Sequence, residues 1–121
     1  MRPWRGSLVA SFRFAGEGLA HLVRTQRNAR IEIAIGLAAV ALGLWLGLAA
    51  MEWAVLVLTI ALVLILEGLN SAVELVVDLA SPERHPAAKA AKDLAAGMVL
   101  IAALASVAVG IALFGPRLLS R

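Results

Sequence analysis

The stretch W-A-V-L-V-L-T-I-A-L-V-L-I-L-E-G-L-N-S-A-V-E-L-V-V-D-L, Trp53 to Leu79, decides how this chain is built. Its first 14 residues are uncharged, short of the roughly 20 that a helix needs to cross a hydrocarbon core. Glu67 then interrupts, yet the pattern stays apolar through Leu69, Ala72, Val73 and Leu75–Val77. The stretch reads as one spanning helix that carries polar groups along one side near one end. Glu67, Asn70, Glu74 and Asp78 project at about 0, 300, 340 and 20° for 100° per residue, so all four share one face. Three carboxyl groups and a carboxamide thus form a stripe running from inside the membrane to its surface. Counting about 20 residues from Trp53 puts Glu67 of order 8 Å inside the edge.

Working outward, two more uncharged runs appear, Ile33 to Met51 with 19 residues and Leu94 to Pro116 with 23. The whole chain of 121 residues is 62% hydrophobic and 16% charged, with a mean hydropathy of +0.93. A soluble domain of this size has no way to bury so much apolar surface. Before the first run, Leu8, Val9, Phe12, Leu19, Leu22 and Val23 recur at helical spacing, while Arg13, Glu17, His21 and Arg24 gather on one arc. That segment reads as an amphipathic helix in the membrane interface, either a plain anchor or a contributor to the site. The expected fold is an all-α membrane protein in a single domain, 1–121. It has an N-terminal surface helix over about 7–28 and transmembrane helices over about 31–51, 53–79 and 86–115. Pro3, Pro82, Pro86 and Pro116 fall outside or at the ends of the spans. Gly43 and Gly47, in a G-x-x-x-G spacing, and Ala95, Ala96 and Gly97 suit close helix contact.

The charges orient the chain. Arg2, Arg5, Arg13, Arg24, Arg27 and Arg30 precede the first span, and Arg84, Lys89 and Lys92 lie between the second and third. The turn near Met51–Glu52 has no basic residue, and the tail has Arg117 and Arg121. The imbalance places the N-terminus and the second loop in the cytoplasm, with multi-pass insertion in the cell (inner) membrane. Trp45 and Trp53 fall near the opposite interface. No apolar core follows the first arginines closely enough for a cleavable leader, so none is expected. The net charge of +3 is ascribed to basic groups at anionic headgroups, and no nucleic-acid partner is expected. With no cysteine, thiolate metal sites and cysteine nucleophiles are excluded.

A carboxylate at the depth of Glu67 costs about 2–3 kcal/mol unless paired or solvated, so four polar groups on one face point to a metal or proton site. After the stripe comes S-P-E-R-H-P-A-A-K-A-A-K-D, Ser81 to Asp93. Pro86 suits a helix first turn. Lys89 and Asp93 sit i, i+4, where a solvated ion pair is the plain account. Carboxylates for Mg²⁺ and lysines for phosphate are also the parts of phosphoryl transfer, and a buried glutamate supplies a base for an attacking hydroxyl. No Walker A or kinase glycine-rich loop is present.

The pattern E-x-x-N-S-A-x-E-x-x-x-D over Glu67–Asp78, followed by H-P-A-A-K-A-A-K-D-L-A-A-G over His85–Gly97, resembles the small prokaryotic diacylglycerol kinase family, which includes undecaprenol kinases. The resemblance covers nearly the whole chain. It implies a homotrimer with active sites between subunits at the cytoplasmic interface, using MgATP to phosphorylate a membrane lipid alcohol. By that likeness Glu67 is the catalytic base and Asn70 the amide that orients the site. Glu74 is a ligand of the nucleotide-bound Mg²⁺, and Lys92 and Asp93 are the K-D pair at the ATP phosphates. Glu83 and His85 are loop positions near the nucleotide. The form of the second motif looks more like the undecaprenol-kinase branch than the diacylglycerol-kinase one.

One position departs from the family. Where T-E-R-N-x-R is usual, this chain has T-Q-R-N-A-R, with Gln26 at an expected metal-binding glutamate. A weaker metal site, a catalytically impaired member and an introduced change all accommodate it, as does a non-enzymatic small membrane protein. On a continuous helix Glu32 lies about 240° from Gln26 and is no substitute. A proton-coupled transporter would need acidic groups near the midplane and a polar path outward, and the stripe stops in the cytoplasmic half.

Overall fold

The computed structural model describes residues 6–120. Arg2, Pro3, Arg5 and Arg121, used above, lie outside the described residues. Four helices follow one another: α1 (Leu8–Thr25), α2 (Arg27–Leu46), α3 (Ala50–Ala80) and α4 (Pro86–Leu119). The last three are long and apolar enough to cross a membrane. The chain is an all-α membrane protein with an N-terminal helix ahead of three spans.

Helix α1 starts where Ser7 Oγ accepts the Ala10 N–H at 3.0 Å, an N-cap that satisfies one of the free donors of the first turn. None of its residues is buried, and Leu8, Val9, Phe12 and Leu19 are exposed. An open apolar side on a helix outside the bundle suits a membrane interface. The helix ends at Thr25, three residues short of the expected boundary at 28. Gln26 is extended, at φ −113° and ψ 108°, and Arg27–Arg30 already belong to α2.

Helix α2 ends at Gly47, whose φ of +76° is left-handed and is reached at no steric cost only by glycine. The expectation that Gly43 and Gly47 pack as a pair is therefore corrected. Gly47 turns the chain, and a Cβ there would meet nothing within 4 Å, whereas one on Gly43 would lie 2.9 Å from both Leu48 Cδ1 and Trp53 Cη2. The second close-approach glycine is Gly36, two turns earlier on the same side, where a Cβ would come within 3.1 Å of Ile60 Cγ2. Trp53 packs inward against the core under Gly43, while Trp45 remains exposed.

The apolar core gathers Leu46, Leu48, Leu56, Leu113 and Phe114, with Ala39, Leu42, Ile60 and Val109 around it. It occupies the α2–α3 turn end of the bundle. There, Arg117 donates from Nη1 and Nη2 to the two carboxylate oxygens of Glu52, both at 2.7 Å. Glu52 Oε1 also accepts the Ala49 N–H at 2.9 Å. This forked pair joins the start of α3 to the end of α4, each charge at the helix end whose dipole it complements. Pro116 lies inside α4, which continues to Leu119 rather than stopping before it.

Replacing Gly43 by alanine forces Trp53 or Leu48 to move and is expected to cost about 1–3 kcal/mol. A thermal melt in detergent should show a lowered midpoint, whereas Gly16→Ala, inside α1 where a Cβ meets nothing within 4 Å, should hold or raise it, since alanine favours the helix.

Candidate active site

The opposite end of the bundle is built around α3. Glu67 is 1% exposed, the largest fully buried side chain of the described residues. Its Oε1 has no hydrogen-bond partner, and neither do the buried Asn70 Oδ1 and Glu32 Oε1. Ser71, also buried, donates its hydroxyl to the Glu67 backbone carbonyl at 3.0 Å, so it supports the helix and leaves the carboxyl group alone. Glu32 comes from α2 and lies within electrostatic reach of Glu67, which in turn feels Glu74. Acceptor oxygens buried without donors are rare in native proteins and mark a place awaiting a ligand, an ion or a proton.

Glu32 is the site residue that sequence reasoning passed over. In sequence it lies about 240° around a helix from Gln26 and so reads as no part of the same face. The available signal was its place immediately before the uncharged run from Ile33, where a carboxyl group sits at the edge of a span and needs a polar neighbour.

Toward the helix end the stripe meets the α3–α4 loop. Asp78 pairs with Lys92 at 2.5 Å, and Lys89 pairs with Asp93 at 2.6 Å. Lys92 also feels the charge of Glu74, so this lysine links the stripe to the loop. Asp93 is engaged by Lys89 one turn away, the plain ion pair the spacing suggested, and the carboxylate on Lys92 is that of Asp78. His85 is the N-cap of α4, where its Nδ1 accepts the Ala87 N–H at 3.0 Å. Glu83 is exposed, and its carbonyl accepts the Ser81 hydroxyl at 3.0 Å. Asp78, Glu83, His85, Lys89, Lys92 and Asp93 border one open pocket of about 630 Å³. Gln26, Glu67, Asn70 and Glu74 are not among its walls. The site is thus in two parts, a buried oxygen-rich stripe and a charged pocket, joined through Lys92. Gln26 is half-buried at the α1–α2 break.

A second, apolar cavity of about 340 Å³ lies between α1 and α3, bordered by Gly18, Leu19, His21, Leu22, Gly68 and Ser71 among others. It opens beside the stretch that carries Glu67 and Asn70. Of the polar arc on α1, His21 borders this cavity, while the Arg13 guanidinium sits 4.9 Å from the centre of the Phe14 ring.

No three His, Cys, Asp or Glu side chains among the described residues converge to hold a metal ion by themselves. The donor chemistry still fits Mg²⁺ brought by a nucleotide, since this ion takes one or two carboxylates and completes its shell with phosphate oxygens and water.

Apolar spanning helices, with buried carboxyl groups and a charged pocket gathered at one end, define a membrane protein whose polar site lies at one end of its bundle. The chain belongs to the prokaryotic diacylglycerol kinase family, whose model matches residues 13–114, and this is a family of lipid kinases. It is 50% identical to a diacylglycerol kinase of Synechocystis over 94% of its own length and 66% of that protein. It is 41% identical to an undecaprenol kinase of Bacillus subtilis over 89% of its length and 88% of that protein. A diacylglycerol kinase of Escherichia coli is 41% identical over 59% of this chain and 58% of that one. The match to the Synechocystis relative spans just under two thirds of that protein.

The pairings separate the two lysines. Lys92→Ala should weaken binding of a fluorescent ATP analogue by about tenfold or more, through loss of a charge-assisted contact. Lys89→Ala, on a helix surface with its side chain 79% exposed, should change it less than about threefold. A titration of both variants checks this.

Proposed function

We propose that this protein transfers the γ-phosphate of MgATP to the hydroxyl of a membrane lipid alcohol, undecaprenol ahead of diacylglycerol. The observation that carries the reading is the buried, unpartnered carboxyl of Glu67 beside an apolar cavity, with a pocket of mixed charge at the same end of the bundle. The cavity admits a lipid tail from the bilayer and brings its hydroxyl toward Glu67. The charged pocket receives the nucleotide, with Lys92 on the phosphates, Asp93 behind the lysines, and Glu83 and His85 near the rest of the molecule.

Glu67 acts as general base. Its carboxylate takes the proton of the lipid hydroxyl as that oxygen bonds to the γ-phosphorus. The bond from γ-phosphorus to the bridging oxygen breaks, and ADP leaves. Asn70, one turn on, orients the hydroxyl through its amide. Glu74 and Gln26 offer the oxygens that would hold Mg²⁺, and the ion when bound offsets the charge on the phosphates. A carboxamide at Gln26 accepts the ion with less charge compensation than a carboxylate. The family likeness and the basic N-terminal segment together support a cytoplasmic site in the inner membrane. The family likeness alone favours a homotrimer whose active sites lie between subunits. The lean toward undecaprenol rests on the H-P-A-A-K-A-A-K-D-L-A-A-G motif and is in keeping with the name of the Bacillus relative.

The test offers labelled ATP to purified protein in mixed micelles with undecaprenol and, separately, diacylglycerol. Phosphorylated undecaprenol is expected to form faster. Glu67→Gln should lower turnover by about 10²–10⁴-fold, the usual worth of general base catalysis, with MgATP binding kept. Full turnover in that variant would remove the base assignment. Gln26→Glu should lower the Mg²⁺ concentration needed for half-maximal rate; product appearing only in that variant would identify a catalytically impaired member.

A further inference from the structure

The break between α1 and α2 has no breaker in its sequence. Residues 22–30 read L-V-R-T-Q-R-N-A-R, without glycine or proline, and nothing in their chemistry forbids a continuous helix. The chain nevertheless leaves the helix at Gln26 and re-enters it at Arg27. A helix stopped in this way leaves the carbonyls of its last turn without N–H partners. Leu22 O is taken by the Gln26 N–H at 2.9 Å. Val23 O and Arg24 O are taken by one guanidinium, since Arg30 Nη1 donates to both, at 2.8 and 3.1 Å. The same cation stands at the negative end of the α1 dipole.

Packing alone gives α1 little hold. None of its residues is buried, and its approach to α3 is loose, with Leu22 Cδ2 3.8 Å from where a Cβ on Gly68 would be. Yet α1 forms one wall of the apolar cavity whose other wall is Gly68, Ser71 and Leu75, the stretch of α3 that carries Asn70 and Glu74. We propose that Arg30 is a positioning residue: by bonding back to the Val23 and Arg24 carbonyls it holds the break open and keeps α1 lying over the acid-bearing stretch of α3. Without the clamp, α1 and α2 are free to join into one straight helix that carries α1 off α3 and unmakes the cavity. Two basic groups thus divide their work, with Arg30 shaping the lipid side of the site and Lys92, in the second turn of α4, serving the nucleotide side.

The proposal rests in part on the lipid-kinase reading, so one measurement is independent of activity. The chain contains no cysteine, so spin labels can be placed at Phe12→Cys on α1 and Leu44→Cys on α2, both at exposed positions. Labelled chains diluted into unlabelled protein report the distance within one chain. A continuous helix would set the two backbone positions about 48 Å apart, and the bent arrangement sets them closer. Arg30→Ala is expected to shift or broaden the distribution toward the longer distance. Arg30→Lys, which keeps a cation and donors, should retain the bent population. In kinetics, Arg30→Ala should raise the apparent KM for lipid by about fivefold or more with KM for MgATP changed less than about twofold, and Arg30→Lys should recover most of the loss. An unchanged distance distribution in Arg30→Ala overturns the clamp whatever the activity. A shifted distance with both KM values raised equally overturns the assignment to the lipid side. A shifted distance in a parent protein that phosphorylates neither lipid upholds the clamp and counts against the kinase reading.

Discussion

A carboxyl group with almost no exposed surface, set in a helix that crosses a bilayer, is the constraint around which this molecule is arranged. Burying Glu67 costs free energy that apolar packing at that position would not. The rest of the fold is organised so that the cost is met in one place. Helix α3 is 31 residues long, well beyond a simple span, because one helix must supply both a lipid-compatible segment and the polar stripe. Asn70 and Glu32 bring further unpartnered oxygens to the same region, which concentrates the cost instead of spreading it.

The two ends of the bundle are consequently different materials. Around the α2–α3 turn, glycines at 36 and 43 let α2 close onto α3, and leucines, Phe114 and Trp53 fill the space between helices. Around the α3–α4 loop there is little such packing. Ion pairs, a helix cap made by His85 and an open pocket take its place. Stability resides at the first end, and the second is left with the incomplete hydrogen bonding that marks a binding site.

Much of this is legible in the sequence. Run lengths between charges separate the three spans, because a bilayer imposes a length that ordinary cores do not. The stripe on α3 follows from the helical repeat alone, and the i, i+4 pair of Lys89 and Asp93 was readable for the same reason. What escaped the sequence depends on contacts between elements. The break at Gln26 is set by Arg30 reaching back across it, an interaction that local preference does not encode. Glu32 enters the site only because α2 lies against α3. Gly47 reads as half of a packing motif until its left-handed backbone shows that it caps the helix. Asp78, expected in the stripe, also proves to be the carboxylate that holds Lys92.

The antiparallel pair α3–α4 is fastened by an acid–base contact near each end, Glu52 with Arg117 and Asp78 with Lys92. Along α3 the anchors are 26 residues apart and along α4 they are 25 apart, so both fasteners demand the same alignment of the two helices. At ~1.5 Å per residue they stand about 38 Å from each other, about 8 Å more than the ~30 Å hydrocarbon layer. Each pair then falls in the headgroup zone of its own leaflet, and the hairpin acts as a caliper for the bilayer. A membrane of mismatched thickness would tilt the hairpin or draw a fastener into hydrocarbon. The depth at which the acidic stripe of α3 sits in the bilayer is thereby written into two ion pairs, one in each leaflet.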